Sequence, residues 1–291
     1  MLTHQDAQIN GIRLHYVMAG EGPLMLFLHG FPEFWYEWKD QLNEFQRDFK
    51  VVAPDMRGYN LSEKPQDVEQ YRMRYLVEDV HQLIAHIGAR TCTLVAHDWG
   101  GAVAWIFAQI YPELLDRLII VNSAYPSILQ RESRENPDQQ KASQYMLTFQ
   151  SPEAEQILSA NNYAALAEGF ALNKALSEAE MELYRQAWSQ PGGLTGPLNY
   201  YRASARSQAR ATESGGQRTN SARNAGQIQV PTLVIWGERD TFLLSTNLNG
   251  LDEYVSDLTI QRIPDGSHWV IHEQPARVNA LIRDFIEQRG K

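Results

Sequence analysis

The sequence predicts an α/β fold in which a mostly parallel sheet carries helices on both faces. Short, almost wholly apolar runs such as "PLMLFLHG" and "CTLVAHD" are typical of strands that are covered on both sides. Between them, apolar residues recur at helical spacing, most clearly from Leu76 to Ile87, and Gly88 is placed to end that helix. The alternation resumes late in the chain at "PTLVIWGERD". It favours parallel pairing, because each helix returns the chain to the start of the next strand.

The remaining elements follow from the same patterns. The segment "QINGIRLHYVMAG" predicts a hairpin that turns at Asn10 and Gly11. "FWYEWKDQLNEF" predicts a helix, and "FKVVAPD" predicts the next buried strand. After "CTLVAHD" we expect the helix "GAVAWIFAQIYPELL" and the strand "RLIIVNS". "LTIQRIPDGSH" predicts the last strand, and "PARVNALIRDFIEQ" predicts an amphipathic helix that closes the fold.

The alternation of strands and helices is interrupted between residues 124 and 228, where helix-forming residues predominate. The last part of this stretch, "ASARSQARATESGGQRTNSARNAG", is polar and predicts a solvated return segment. We expect a core domain formed by residues 1–123 and 229–291, with residues 124–228 inserted as a helical cap, or lid. A separate domain is the alternative, but the core pattern resumes afterwards, which favours an insertion.

Composition narrows the possible functions. The chain has 291 residues, 43% of them hydrophobic and 21% charged, as in an ordinary globular protein. Its formal net charge of −9 does not favour a nucleic-acid partner. Cys92 is the only cysteine, so no disulfide framework forms within the chain, and we expect this residue in the core. Ligand-spaced His/Cys clusters and phosphate-binding glycine loops are absent from the sequence, so no metal or cofactor is expected.

The sequence gives no sign of a membrane. "MLTHQDAQIN" lacks the charged and apolar regions of a secretion signal, and no stretch approaches the ~20 apolar residues of a membrane span. The expected location is the cytoplasm. The expected partner is a small-molecule substrate, and the sequence leaves the oligomeric state open.

Three chemically capable side chains are predicted at carboxyl ends of strands, where open parallel sheets place their reactive groups. Asp98 follows "CTLVAH" and sits in the tight turn of "LVAHDWGGAVAWI", Asp240 follows "TLVIWGER", and His268 follows "LTIQRIPDGS". Taken alone, an aspartate in a turn is usually a cap, and a histidine is usually a surface or core residue. Three such residues in this order instead favour a nucleophile, an acid and a base.

Five motifs in order support this interpretation: "HGFPEFWYEW" at 29–38, "DMRGYNLSEKP" at 55–65, "AHDWGG" at 96–101, "GERDTFL" at 237–243 and "GSHWVIHEQP" at 266–275. On these motifs the sequence resembles the epoxide hydrolase branch of the α/β-hydrolase superfamily, which is close to the haloalkane dehalogenases. The resemblance covers nearly the whole chain. It implies the α/β-hydrolase fold with a cap, and it makes Asp98 the nucleophile, Asp240 the orienting acid and His268 the base.

The same resemblance assigns an oxyanion site. It implies that the backbone N–H groups of Phe31 and Trp99 hold the oxyanion, and that His29 shapes their loop through hydrogen bonds. Trp35 is expected to line the substrate pocket, although packing between helix and sheet is the alternative. For two further histidines, His97 and His272, we expect a packing role and a surface role respectively. Asn60 departs from the glycine of many relatives, but asparagine also tolerates left-handed backbone angles.

An aspartate at the turn favours displacement at saturated carbon, because a carboxylate is already ionised at neutral pH, whereas serine must lose its proton. Epoxide opening needs an acid for the leaving oxygen. The resemblance implies two tyrosines for this role: Tyr145 in "QYMLTFQSP", and Tyr201 in "LNYYRA", where the adjacent Tyr200 is the alternative. A packing role for these aromatic residues is the competing interpretation.

Two other functions stay open at this stage. A haloalkane or haloacetate dehalogenase would use the same aspartate. However, haloalkane dehalogenases usually carry asparagine at the position of Phe31, and fluoroacetate dehalogenases usually carry arginines near the nucleophile, where Trp99 and Val103 stand here. The other possibility is a non-catalytic ligand-binding protein on a hydrolase fold. The sequence does not give the substrate's size or stereochemistry.

Overall fold

A sheet of eight strands forms the centre of the molecule in the computed structural model, which describes residues 2–172, 175–213 and 227–288. The strand order is β1-β2-β4-β3-β5-β6-β7-β8. The strands span β1 Thr3–Ile9, β2 Ile12–Ala19, β3 Leu24–Leu28, β4 Lys50–Pro54, β5 Cys92–His97, β6 Leu115–Val121, β7 Thr232–Gly237 and β8 Leu258–Ile263.

Strand pairing confirms the predicted sheet. β2 is antiparallel to β1 and to β4, and all of the other neighbouring strands are parallel. The predicted hairpin turns at Asn10 (φ 47°) and Gly11 (φ 79°), two left-handed residues that suit a two-residue turn. Parallel order from β4 to β8 brings the carboxyl ends of β5, β7 and β8 to one edge, where the three predicted side chains follow their strands.

Helices cover the sheet on both sides. Their bounds are α1 Lys39–Phe45, α2 Met73–Ile87, α3 Asp98–Ile110, α4 Pro126–Glu135, α5 Pro137–Ala142, α6 Tyr145–Gln150, α7 Ala154–Leu172, α8 Glu178–Trp188, α9 Thr195–Glu213, α10 Val270–Glu273 and α11 Pro275–Gln288. Short 3₁₀ turns lie at Trp35–Trp38, Val68–Tyr71, Pro112–Leu114, Ser245–Leu248 and Leu251–Glu253.

Two helix predictions need a change of extent. In the segment "FWYEW", residues Trp35–Trp38 form a 3₁₀ turn before α1 begins at Lys39, and α3 ends at Ile110 instead of running on to Leu115. Pro112 explains the second difference, because proline lacks the N–H that an α-helix would need there and clashes with the preceding turn.

Side chains on the two sheet faces enter two separate apolar cores. On one face α1, α10 and α11 pack on residues such as Phe27, Val95 and Ile235. On the other face α2, α3 and the helices that follow β6 pack on residues such as Leu26 and Leu94. Leu94 and Val95 are adjacent in β5 and enter different cores, as strand alternation requires. Cys92 is fully buried in the second core, which confirms its predicted place.

The stretch after β6 is helical, as the sequence predicts. Helices α4 to α9 occupy the described residues between 126 and 213, and this part contains no strand. Helix α7 is interrupted at residues 160–163, where Asn161, Asn162 and Tyr163 are left-handed. The predicted polar return segment begins too early, because α9 continues to Glu213; residues 214–226 lie outside the described part of the chain.

None of the helices that the structure describes combines the length and the apolar composition of a membrane span.

Gly88 tests the predicted end of α2. It is left-handed (φ 77°, ψ 20°), its N–H reaches the carbonyl oxygens of Ala85 and Ile84, and an added Cβ would meet no atom within 4 Å. We therefore expect Gly88→Ala to lower the free energy of unfolding by about 1–2 kcal/mol through backbone strain alone. Gly88→Asn is the control. Because asparagine tolerates this conformation, we expect a smaller decrease in its free energy of unfolding. Equal losses in urea unfolding would contradict the assignment.

Candidate active site

The turn between β5 and α3 presents Asp98. This residue is left-handed (φ 46°), and its carboxylate projects above the edge of the sheet. The chain can bend so sharply only because glycines stand at positions 30 and 100, where it is most crowded. A Cβ on Gly100 would lie 2.3 Å from the Leu28 carbonyl oxygen, and one on Gly30 would lie 2.4 Å from the Asp98 Cβ. The strained turn fixes the direction of the carboxylate.

The other two predicted residues meet Asp98 at this edge. His268 Nδ1 lies 2.7 Å from Asp240 Oδ2, so its N–H donates to that carboxylate. The opposite ring nitrogen, Nε2, faces Asp98 Oδ2 at 3.8 Å, which is too long for a hydrogen bond. Asp240 Oδ1 accepts the backbone N–H groups of Phe242 (2.8 Å) and Leu243 (2.9 Å). Asp240 is therefore held in place by these bonds, and it fixes the orientation of the His268 ring.

A fourth residue, Asn122, belongs to this arrangement, and the sequence motifs did not predict it. The Asn122 side chain donates to Asp240 Oδ2 (2.7 Å) and accepts the backbone N–H of Gly237 (2.8 Å). Asn122 directly follows β6 and has a φ of 38°. The signal was present, because Asn122 is a polar residue at the carboxyl end of a buried strand.

Charge distribution in the site favours a protonated histidine at rest. Burial lowers the pKa of His268, but the Asp240 and Asp98 carboxylates outweigh burial and raise the pKa to about 9. Burial would raise the pKa of Asp240, yet the facing His268 and the donated hydrogen bonds hold it below its usual range. Asp240 is therefore an ionised, hydrogen-bonded carboxylate.

The loop after β3 supplies the predicted oxyanion donor. The backbone N–H of Phe31 donates to Asp98 Oδ1 at 2.7 Å. His29 braces this loop: its Nδ1 bonds the Gly30 carbonyl oxygen (3.0 Å), and its Nε2 accepts the Met56 N–H (2.9 Å). Trp99 is the residue after Asp98, in the first turn of α3.

A cavity of about 290 Å³ opens onto Asp98 and His268. Both predicted tyrosines, Tyr145 and Tyr201, line it, with ring centroids 6.3 Å apart. Burial raises the pKa of each phenol well above its usual value, and the nearby Asp98 adds to the effect. The remaining wall is mostly apolar: Phe31, Pro32, Thr148, Phe149, Ile157, Leu158, Ala165, Leu166, Gly169, Phe242 and Trp269.

The prediction that Trp35 lines this pocket is wrong. Its backbone N–H donates to Asp55 (3.1 Å), and its ring packs edge-on against His4 at 5.5 Å. The short 3₁₀ turn that carries Trp35 directs the ring toward the antiparallel edge of the sheet, so the packing alternative is the one observed.

Known proteins resemble this chain in sequence and in structure. The family model described as "alpha/beta hydrolase fold" matches residues 23–275. The chain is 36% identical to epoxide hydrolase 4 of Mus musculus, over 99% of this chain and 81% of that protein. It is also 36% identical to AB hydrolase superfamily protein YfhM of Bacillus subtilis, over 98% of each. A crystal structure of Bacillus megaterium epoxide hydrolase with an inhibitor matches with a TM-score of 0.87 at 36% identity, covering 97% of this chain and 100% of that one.

The chain belongs to the α/β-hydrolase superfamily, in its epoxide hydrolase branch.

The geometry separates the two adjacent tyrosines of α9 in this α/β-hydrolase. Tyr201 faces the large cavity, where its ring lies 5.1 Å from that of Trp99 and 5.5 Å from that of Phe31. Tyr200 is buried behind it, and its hydroxyl donates to the Arg57 carbonyl oxygen at 2.8 Å. Consecutive helical residues point about 100° apart, so only one of the two can face Asp98.

The sequence suggested a surface role for His272, but the side chain is buried. Its side chain is 1% exposed, and its Nε2 lies 3.0 Å from Glu33, which also accepts the Tyr184 hydroxyl. Burial would lower the pKa of His272 and raise that of Glu33, but their mutual attraction raises the first and lowers the second. His272 lies in α10, the short helix that follows His268.

His97 packs beneath the site and carries a second buried pair with Glu37. Its Nε2–H donates to the His268 carbonyl oxygen (3.0 Å), so Nδ1, which contacts Glu37, is an acceptor. Burial and the nearby His268 lower the pKa of His97 to about 4, and burial raises that of Glu37 well above its usual range. A neutral His97 therefore holds the backbone of His268 through its Nε2–H.

In the part of the chain that the structure describes, no group of three or more His, Cys, Asp and Glu side chains is arranged to hold a metal ion.

The charge of Asp98 is expected to control the protonation of His268. Asp98→Asn keeps the side-chain shape but removes a negative charge 3.8 Å from Nε2, so the pKa of His268 should fall from about 9 by roughly 1–3 units. Titration of the ring by NMR would measure this shift. Asp116→Asn, at the opposite end of β6, removes one exposed charge and serves as the control. An unchanged His268 titration in Asp98→Asn would contradict the coupling.

Proposed function

We propose that this protein hydrolyses epoxides to vicinal diols through a covalent ester on Asp98. The observation that carries the proposal is one cavity wall that contains a carboxylate, a histidine and two phenols: Asp98, His268, Tyr145 and Tyr201. The relatives named epoxide hydrolase support the same reaction. Both phenols come from residues 124–228, the segment that we expect to form the cap.

In the first step, a carboxylate oxygen of Asp98 attacks an epoxide carbon, and the bond from that carbon to the ring oxygen breaks. Asp98 Oδ1 is held by the Phe31 N–H, which leaves Oδ2 to attack. The leaving alkoxide takes a proton from Tyr145 or Tyr201. A phenol suits this task because its pKa of about 10 keeps it protonated at neutral pH, and burial strengthens that preference here.

In the second step, His268 takes a proton from water, and the resulting hydroxide attacks the ester carbonyl of Asp98. The N–H groups of Phe31 and Trp99 stabilise the oxyanion. Collapse of this intermediate releases the diol and restores the Asp98 carboxylate. The proton on His268 then returns to the phenolate through solvent.

Ester formation itself prepares the base. While Asp98 is ionised, its charge helps to raise the pKa of His268, so the ring carries a proton at rest. The ester is neutral, so this attraction ends and the pKa of His268 falls when a neutral base is needed. Ester hydrolysis should therefore become faster as pH rises through this lowered pKa.

Dehalogenation is the weaker alternative for this cavity. Phe31 offers no side-chain donor to a departing halide. Apart from Asp98 and His268, none of the described residues in the cavity wall carries a charged side chain, so nothing there would hold the carboxylate of a haloacetate. The cytoplasmic location expected from the sequence stays a prediction, which fractionation of the host cell would test.

The division of labour between Asp98 and His268 predicts a trapped intermediate. His268→Gln should still form the ester, because Asp98 needs no base to attack, but it should release diol at least 10²-fold more slowly. Intact-mass analysis after mixing with styrene oxide should show protein heavier by one substrate molecule. Asp98→Asn is the control and should gain no mass. A folded His268→Gln variant that binds substrate and shows neither ester nor turnover would count against the scheme.

The two phenols predict a graded loss. Tyr145→Phe or Tyr201→Phe should slow epoxide opening, and the double variant should lose roughly 10²–10⁴-fold in kcat/KM, the usual range for general-acid help. Activity on a reactive alkyl halide should survive better, since a halide leaves without a proton. Tyr200→Phe is the matched control, because its hydroxyl bonds Arg57 outside the cavity. Full epoxide activity in the double variant would make the phenols packing residues, and a wild type that turns over only halides would favour a dehalogenase.

A further inference from the structure

The cavity wall has one position where a side chain is missing. Gly169, in the second half of α7, lines the cavity opposite Trp269. A Cβ built on Gly169 would lie 3.5 Å from Cζ2 and 3.7 Å from Nε1 of Trp269, and these are ordinary contact distances. A methyl group therefore fits at this position. A larger side chain must either displace Trp269 or extend into the cavity.

Trp269 is held too firmly to move aside. Its ring lies 4.2 Å from that of Phe170 and 4.9 Å from that of His268, and its backbone N–H donates to Ser267 Oγ at 3.1 Å. Phe170 is itself fully buried. Behind it, Tyr184 and Trp188 complete the aromatic packing. Close-packed interiors resist such shifts, so a side chain added at position 169 takes space from the cavity.

The space beside Gly169 suits an uncharged ring. The neighbouring wall residues Leu158, Leu166 and Trp269 are apolar, and the Trp269 indole offers an aromatic surface. The cavity of about 290 Å³ lies near the lower end of the ~300–1,000 Å³ range of small-molecule pockets, which is enough for a bicyclic substituent. A charged substituent would lose its hydration there without gaining a partner.

We infer that Gly169 sets the upper size limit of the substrate, and that the site takes epoxides whose uncharged aromatic substituent lies against Trp269 in the space that a side chain at position 169 would fill. This inference rests on the proposed function, since it concerns the same cavity. Gly169 is a specificity-determining residue in this scheme, and it contacts the part of the substrate that does not react.

The test compares two substituents across three proteins. Wild type, Gly169→Ala and Gly169→Leu are assayed with propylene oxide, which is small, and with 1-naphthyl glycidyl ether, which is large. In Gly169→Ala, kcat/KM should fall about tenfold for the large ether, as one methylene in an apolar pocket typically does, and should stay within about threefold for propylene oxide. In Gly169→Leu, kcat/KM should fall roughly 100-fold or more for the large ether but not for propylene oxide.

Two controls separate this effect from loss of structure. Alanine is the better helix former, so Gly169→Ala should melt no lower than wild type. Ala164→Leu adds an exposed apolar side chain to the same half of α7 outside the cavity wall. It should leave kcat/KM unchanged for both epoxides.

The outcomes are distinct. Equal losses on both epoxides, or no loss on the large ether in either Gly169 variant, would overturn the inference. If Gly169→Leu does not fold, Gly169→Ala still decides the matter. A wild type that opens neither epoxide would instead reject the proposed function.

Discussion

The left-handed turn at Asp98 is the constraint on which the rest of the site depends. An aspartate at φ 46° between a buried strand and a helix is strained, and it persists only because the surrounding packing leaves no other path. Gly30 and Gly100 make room for it, since a methyl group on either would collide within 2.4 Å. Once Asp98 is fixed, the Phe31 N–H, the His268 ring and the cavity all take their positions relative to its carboxylate.

Buried polar pairs stabilise the layer beneath that turn. Glu33 with His272 and Glu37 with His97 lie where an apolar core would otherwise continue. The first pair joins the loop after β3 to α10, just after His268, and the second holds the His268 backbone through a hydrogen bond. A buried polar group is costly without a partner, so each pair restricts the geometry of the loops that carry it. The edge of the sheet that carries Asp98 and His268 is therefore held from below as well as along the chain.

Residues from distant parts of the chain complete the cavity. Tyr145 and Tyr201 come from α6 and α9, whereas Asp98 and His268 come from the core. Phe242, from the loop after Asp240, contacts both groups: its ring lies 5.3 Å from Tyr145 and 5.3 Å from His268.

The sequence by itself determined the strands, the order of the three strand-end residues and the left-handed positions at Asn10, Gly11 and Gly88, because these depend on local periodicity and backbone preference. The tertiary structure alone decided that Tyr201 and not Tyr200 faces Asp98, that Trp35 packs away from the cavity, and that His272 is buried with Glu33. These features depend on the rotation of a helix and on contacts between segments more than 200 residues apart, such as Glu33 and His272. A side chain's neighbours across such distances are set by packing, which local pattern does not encode.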